Sequence, residues 1–245
     1  MRRDGEVMSS SLEKGLSVLK ELGRSDACGV GVRELARRLT LQPSRVHALL
    51  KGLCRQGFAR ASEGGSYQLG PAALALAVNC HHLRVIRGCA ESAVDELFAA
   101  IEETSAAVGW IDGSVTVLAK REARHQLIAT MPSGVVKEAH RWASGLALLG
   151  MCDVAERKRY ASRAGVTVAR LGRLLKRHVR GGYTEVSNVD GSGVTALAVP
   201  VVPLRIALAV CGPVERLAGA RRKAVLGRLQ TVAQRLTTEQ SGMGK

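Results

Sequence analysis

The sequence predicts an α+β chain in two unequal parts, and three observations carry that prediction. Apolar residues recur at helical spacing from Leu12 to Glu103, broken by short polar turns. A glycine-rich tip, Ser62-Glu63-Gly64-Gly65-Ser66, separates two short strand-like runs within that stretch. Beyond Thr104 the apolar period shortens to two, and strand-like runs then share the chain with helices, the pattern of an antiparallel sheet with helices packed on it. With 245 residues and 46% apolar composition, a core for one large domain or two unequal ones is within reach.

Taken in order, residues 1–8 are polar and without period, and Ser9 to Ser11 cap a helix over about Leu12 to Gly23, with Leu12, Leu16, Leu19 and Leu22 at helical spacing. Gly23 to Asp26 and Gly29-Val30-Gly31 break the pattern. From Val32 two helices follow, one burying Leu35, Ala36 and Leu39 and the next Val46, Leu49, Leu50 and Leu53, joined by Thr40-Leu41-Gln42. Pro43 suits the first position of the second helix, where an N–H would lack a partner anyway, and Gly57 suits its stop. Phe58 to Arg60 and Tyr67 to Leu69 form the hairpin around the glycine-rich tip. Pro71 opens a helix to about Cys80, and a longer one spans about Leu83 to Glu103. In the second half, strands are expected at Ala106–Ile111, Val115–Leu118, Gln126–Thr130, Val194–Val202 and Ile206–Val210, the first two joined by an Asp112-Gly113 turn. Helices are expected at about Arg141–Cys152, Val168–Arg180 and Glu215–Thr237.

A helix pair with a short turn, a small residue at the crossing and a hairpin behind it is the pattern of a winged helix-turn-helix, whose second helix enters the major groove of double-stranded DNA. Ala36 is the small residue, and Leu35, Leu39, Leu41, Val46 and Leu49 lock the angle. The turn position held by Thr40 usually takes glycine, because a left-handed backbone there costs a β-branched residue more. On the outer face, Arg45 with Ser44 and Gln42 would read bases, since a guanidinium can bond O6 and N7 of guanine together. Arg38, Lys51 and Arg60 would hold phosphates, and His47 either contacts DNA or caps the packing. An ordinary helical hairpin, or a scaffold whose helix pair meets another protein, is the competing reading of the same segment.

A formal charge of +15 favours a polyanionic partner, although an arginine-rich composition of high-GC origin would produce it too. Aromatic residues amount to 3%, too few for a base-stacking platform of the single-strand or RNA-binding kind. Six scattered cysteines without a CxxC, and the lack of an apolar leader or span, lead us to expect a reduced, cytoplasmic protein with no membrane partner. Cys80-His81-His82 with Cys89 lacks the paired spacing of a zinc site, so no metal and no cofactor are expected. No GxSxG, GxxxxGK[ST], HExxH or strand-following GxGxxG is present, which argues against an enzyme.

With these motifs placed, the chain resembles the IclR family of bacterial transcription regulators over about residues 11 to 230. The resemblance is carried by Ser11 to Leu19, by Glu34 to Leu39 with Ser44, Val46-His47 and Leu49-Leu50, and by Tyr67-Gln68-Leu69-Gly70-Pro71. Further on it rests on the order of Gly134, His140, Ala143, Gly182-Tyr183, Gly193-Val194, Ala198-x-Pro200-Val201 and Gly212-Pro213. It implies a DNA-binding domain over 9–71, a linker helix over 72–82 and a GAF-like effector-binding and oligomerising domain over 83–240, assembled as a dimer or tetramer on a palindromic operator. It also implies an effector pocket at Gly134, Val135, His140, Val186, Ala196, Ala209 and Cys211. At the last four of these the family's carboxylate binders are expected to hold an acid, a cysteine and two serines; Val186, Ala196, Ala209 and Cys211 stand there instead. The expected effector is therefore a small, relatively apolar molecule, or the domain serves oligomerisation alone.

Overall fold

The computed structural model describes residues 10–242 apart from 26–27, 63, 112, 132–133, 135, 137 and 189–190, and at 81–83 and 241–242 it describes the backbone alone. The chain divides into two compact units, Met1–Arg84 and Val85–Lys245.

The first unit is built from α1 (Ser11–Gly23), β1 (Val30–Gly31), α2 (Val32–Leu39), α3 (Pro43–Arg55), β2 (Ala59–Ala61), β3 (Ser66–Leu69) and α4 (Pro71–Asn79). Ser10 caps α1 reciprocally: its hydroxyl accepts from the Glu13 amide and the Glu13 carboxylate accepts from the Ser10 amide. The core joins Val18 and Leu22 of α1 to Leu35 and Ala36 of α2, Val46 and Leu50 of α3, and Ala59 of β2. The three strands pair antiparallel in the order β1-β3-β2. The sequence reading treats Gly29-Val30-Gly31 as a break, whereas Val30 and Gly31 pair with Tyr67 and Ser66; two residues between glycines are too short to show a period. Gly70 closes the hairpin because a Cβ there would stand 2.1 Å from the Gly57 carbonyl oxygen.

α5 (His81–Ile101) leads into the second unit, which adds β4 (Thr104–Ile111), β5 (Ser114–Arg121), α6 (Ala143–Met151), α7 (Val154–Ala164), α8 (Val168–His178), β6 (Val179–Arg180), β7 (Tyr183–Ser187), β8 (Val194–Val201), β9 (Ile206–Pro213) and α9 (Gly219–Gly242). Its six strands form one antiparallel sheet in the order β5-β4-β9-β8-β7-β6. Strand alternation gives the sheet two unlike faces. Leu197, Val199, Ile206, Leu208 and Val210 pack under α5 and α9. Ala106, Ala198, Ala207 and Ala209 turn to the other face, where small side chains let α6 lie close.

Three expectations are corrected here. Gln126–Thr130 is not a strand: the outer edge of β5 is met instead by Gly134 and Val136, whose carbonyl and amide bond Val117 and Val115 at 2.8 and 2.7 Å. The helix expected at 141–152 starts at Ala143, because Ala139–Arg141 form a 3-10 turn and Trp142 is extended. The helix expected through Arg180 ends at His178, where Val179 and Arg180 turn to pair with Thr184 and Tyr183 of β7, a strand the periodicity does not reveal. Of the Asp112-Gly113 turn, Asp112 lies outside the described residues and Gly113 has φ 67°. A short 3-10 turn, Val202–Leu204, joins β8 to β9, and Arg205 after it is held by Glu156 at 2.7 Å.

Candidate nucleic-acid interface and effector face

The turn between α2 and α3 reverses the chain at Thr40, which has φ 53° and ψ 44°, the left-handed conformation the sequence assigns to that position. The amides of Thr40 and Leu41 both donate to the Ala36 carbonyl, using up the last turn of α2. Gln42 is extended, as a residue before proline must be, and Pro43 opens α3. Val46 and Leu50 are fully buried, so the opposite side of α3 is forced outward. Gln42, Ser44, Arg45, His47 and Lys51 are all exposed, as is Arg60 on β2. Ser44, His47 and Lys51, at successive three- and four-residue steps, form one stripe along the first two turns of α3.

Two of these cations already have intramolecular partners. Arg38 donates from Nε to Glu34 Oε1 at 2.7 Å and lies 3.5 Å from Glu21, so it ties α2 to α1. Arg37 makes a fork to the same Glu34, and hydrogen bonds from Arg37 and Arg38 hold that carboxyl down at about 2. Arg45 donates from Nη2 to the Ser11 hydroxyl at 2.6 Å, which rests the guanidinium against the start of α1. The Glu34 pairs are visible in the sequence as three- and four-residue spacings, whereas Glu21 and Ser11 are brought in only by packing.

In the second unit the sheet register gathers the effector candidates. Val186, Ala196 and Cys211 are consecutive partners across β7, β8 and β9, and Thr184, Ala198 and Ala209 form the neighbouring row. Cys211 donates its S–H to the Ala129 carbonyl, and burial pushes its thiol up to about 12, so it stands there neutral. His140 lies at the entry to α6 and is buried. Its amide donates to the Tyr160 hydroxyl oxygen at 2.9 Å, and its Nδ1 stands 2.9 Å from the same atom. The Tyr160 hydroxyl thus meets both the backbone amide and the ring of His140, which fixes the imidazole at the entry to α6. Burial lowers the His140 pKa, so the ring is neutral. Gly134 lies along β5, away from the β7–β9 rows, and Val135 lies outside the described residues.

Two polar groups on this small-residue side escape sequence reasoning. Ser144 of α6 and Thr184 of β7 are each 1% exposed, and neither hydroxyl has a hydrogen-bond partner among the described residues. A buried hydroxyl without a partner forfeits about 1–3 kcal/mol. Nothing in their spacing marks them; only the register and the α6 packing bring them inside. Among the described residues no three His, Cys, Asp or Glu side chains are grouped to hold a metal ion. No helix among them is long and apolar enough to cross a membrane.

Residues 11–63 match the IclR helix-turn-helix domain, and residues 79–238 match the bacterial transcriptional regulator IclR C-terminal domain. No curated protein matches the chain by sequence. Among solved structures, a protein described as an IclR transcriptional regulator from Silicibacter sp. shares 22% identity at a TM-score of 0.79, covering 94% of this chain and 96% of its own. An IclR homolog from Microbacterium hydrocarbonoxydans, complexed with 4-hydroxybenzoate, shares 20% at 0.75, covering 95% and 100%. An IclR-type regulator from Alicyclobacillus acidocaldarius shares 20% at 0.72, covering 93% and 97%.

Proposed function

The chain belongs to the IclR family of DNA-binding transcription regulators, and from that premise we propose that it reads a palindromic operator as a dimer or dimer of dimers, modulated by a small neutral effector. One observation carries the reading: the left-handed turn at Thr40 presents the first two turns of α3 outward with Ser44, Arg45, His47 and Lys51 exposed. Arg45, with Ser44 and Gln42, reads base edges once its bond to Ser11 is exchanged for a base. Lys51 and Arg60 hold phosphates, and His47 lies in the same stripe. Arg38 contributes to phosphate binding only by exchanging a carboxylate for a phosphate, so its first role is to brace α2 against α1. The reading needs no catalytic step, and a cytoplasmic location follows from work on DNA.

Self-association is supported by the first unit's apolar surface. α4 buries no residue and exposes Leu74, Leu76 and Val78 at 63, 62 and 53%, while α1 exposes Leu12 at 71%. Apolar exposure of that extent suits a second copy of the same element better than water. For the effector, Val186, Ala196, Ala209 and a neutral Cys211 provide no counter-charge for a carboxylate, whereas the Ser144 and Thr184 hydroxyls provide hydrogen bonds for a neutral polar group. The relative from Microbacterium hydrocarbonoxydans is complexed with 4-hydroxybenzoate, a one-ring carboxylate, so a neutral effector here would differ from that ligand in charge.

Footprinting of the purified protein on the DNA flanking its own gene tests the reading. We expect symmetric half-site protection whose affinity falls steeply with salt, at a logarithmic slope of about −0.9 per phosphate contacted. Protection lacking two-fold symmetry, or none on any flanking segment, would sink it. Calorimetry with pyruvate or glyoxylate tests the effector class, and micromolar binding of either acid counts against a neutral ligand.

A further inference from the structure

The second unit carries a cavity of about 520 Å³ at the β6–β8 end of its sheet. Glu185, Ser187 and Thr195 line it, and alternation places them on the face that packs under α9, opposite Val186 and Ala196. It is therefore separate from the small-residue face that holds the effector candidates. The end of α8 and β6 contribute Arg177 and Arg180, and the start of α9 contributes Arg222.

The hydrogen-bond balance of this cavity is in surplus on the donor side. Its one carboxylate, Glu185, is taken by Arg222 Nη2 at 2.5 Å, and the Glu185 carbonyl is taken by the His178 ring. Arg222 Nε is buried and has no partner among the described residues. Arg177 and Arg180 are exposed and make no ion pair with any described residue. Ser187 and Thr195 bond each other at 2.7 Å, which leaves one of their two hydroxyl hydrogens for a further acceptor. The α9 helix also begins here, at Ala218 and Gly219, with its unpaired amides and positive dipole end.

We propose that this cavity is a second ligand site, distinct from the effector face, that takes the phosphate group of a small phosphorylated metabolite. Three guanidinium groups, a hydroxyl hydrogen and a helix start supply donors from several directions, which suits the three terminal oxygens of a phosphate better than the two of a planar carboxylate. The volume falls in the range of roughly 300–1,000 Å³ typical of small-molecule sites and exceeds what a bare oxyanion fills. The inference rests on the second unit alone and does not depend on how the chain reads DNA.

Titration of the full-length protein with inorganic phosphate at constant ionic strength, followed by arginine Nε–H resonances and calorimetry, tests it. We expect saturable shifts at Arg222, Arg177 and Arg180, with glucose 6-phosphate binding more tightly than phosphate. The double variant Arg177→Ala/Arg180→Ala should lose roughly tenfold or more in affinity, while Glu185→Gln, by removing the competing carboxylate, should tighten binding severalfold. Thermal unfolding checks that each variant folds, and the resonance map of the unsubstituted protein localises the ligand whether or not they do. Non-saturating shifts spread over many arginines, or binding that Glu185→Gln weakens, would overturn the site; equal affinity for phosphate and glucose 6-phosphate would overturn the metabolite.

Discussion

Thr40 is the residue whose backbone conflicts most with its side chain. Its φ of 53° places a β-branched side chain in the left-handed region, where a Cβ costs about 1 kcal/mol or more. Thr40→Gly is expected to raise stability by up to about 1 kcal/mol, offset in part by the greater freedom of glycine in the unfolded chain. A urea midpoint that rises with unchanged slope is the expected result, and a fall would mean the Thr40 side chain contributes something its hydrogen bonds do not show. His140 makes a second prediction. Burial depresses its folded pKa below the ordinary imidazole value of 6.5, so below that pH the unfolded chain takes up a proton that the folded chain resists. Its contribution is thus fully present above about 6.5 and is lost as pH falls through the folded value. Between pH 7.5 and 5.5 the melting temperature should fall more for the unsubstituted protein than for His140→Asn; equal falls would remove His140 as the cause.

At the scale of elements, the proposed reading divides α3 between base contact at its start and backbone contact further along. Arg45 sits where the helix would meet base edges and Lys51 a turn and a half further along, where it would meet the backbone. Arg45→Ala is expected to flatten the preference among operator variants, by about 1–3 kcal/mol at the base it reads. Lys51→Ala should weaken all sequences alike and reduce the salt slope by about 1. Competition binding across a set of single-base operator variants measures both; identical profiles for the two variants would mean that α3 docks in another orientation. The hairpin beside it is fastened by Gly70, whose amide donates to the Phe58 carbonyl at 2.8 Å, so Arg60 is carried on a strand anchored at its base.

For the molecule as a whole, charge and apolar exposure are the two features that bear on association. The net charge of +15 favours attraction to any duplex, so under the proposed reading sequence preference is assigned to α3. The apolar surface of α4 is the proposed site of self-association. Replacing Leu74 and Leu76 together by Ser is expected to shift the protein toward monomer in sedimentation without lowering the melting temperature of the unit, because neither side chain is buried within it. Unchanged sedimentation would place the subunit contact on another surface.

What the sequence determined by itself was whatever local periodicity and turn chemistry encode. Pro43, the left-handed position at Thr40, the packing of Leu35, Leu39, Leu41, Val46 and Leu49 and the glycine-rich hairpin tip were all legible, because each requirement is met within a few residues of its cause. The antiparallel character of the second half was legible for the same reason. What only the tertiary structure decided was pairing at a distance. β7 became a strand because β8 and β6 flank it, Gln126–Thr130 did not because Gly134 and Val136 took the edge of β5, and Arg38 was drawn toward α1 by Glu21. Val186, Ala196 and Cys211 met in one row only once the sheet register was set, and Ser144 and Thr184 were buried only once α6 packed on that sheet. A side chain's period records which face it takes, but its neighbours on that face come from strands far away in the chain.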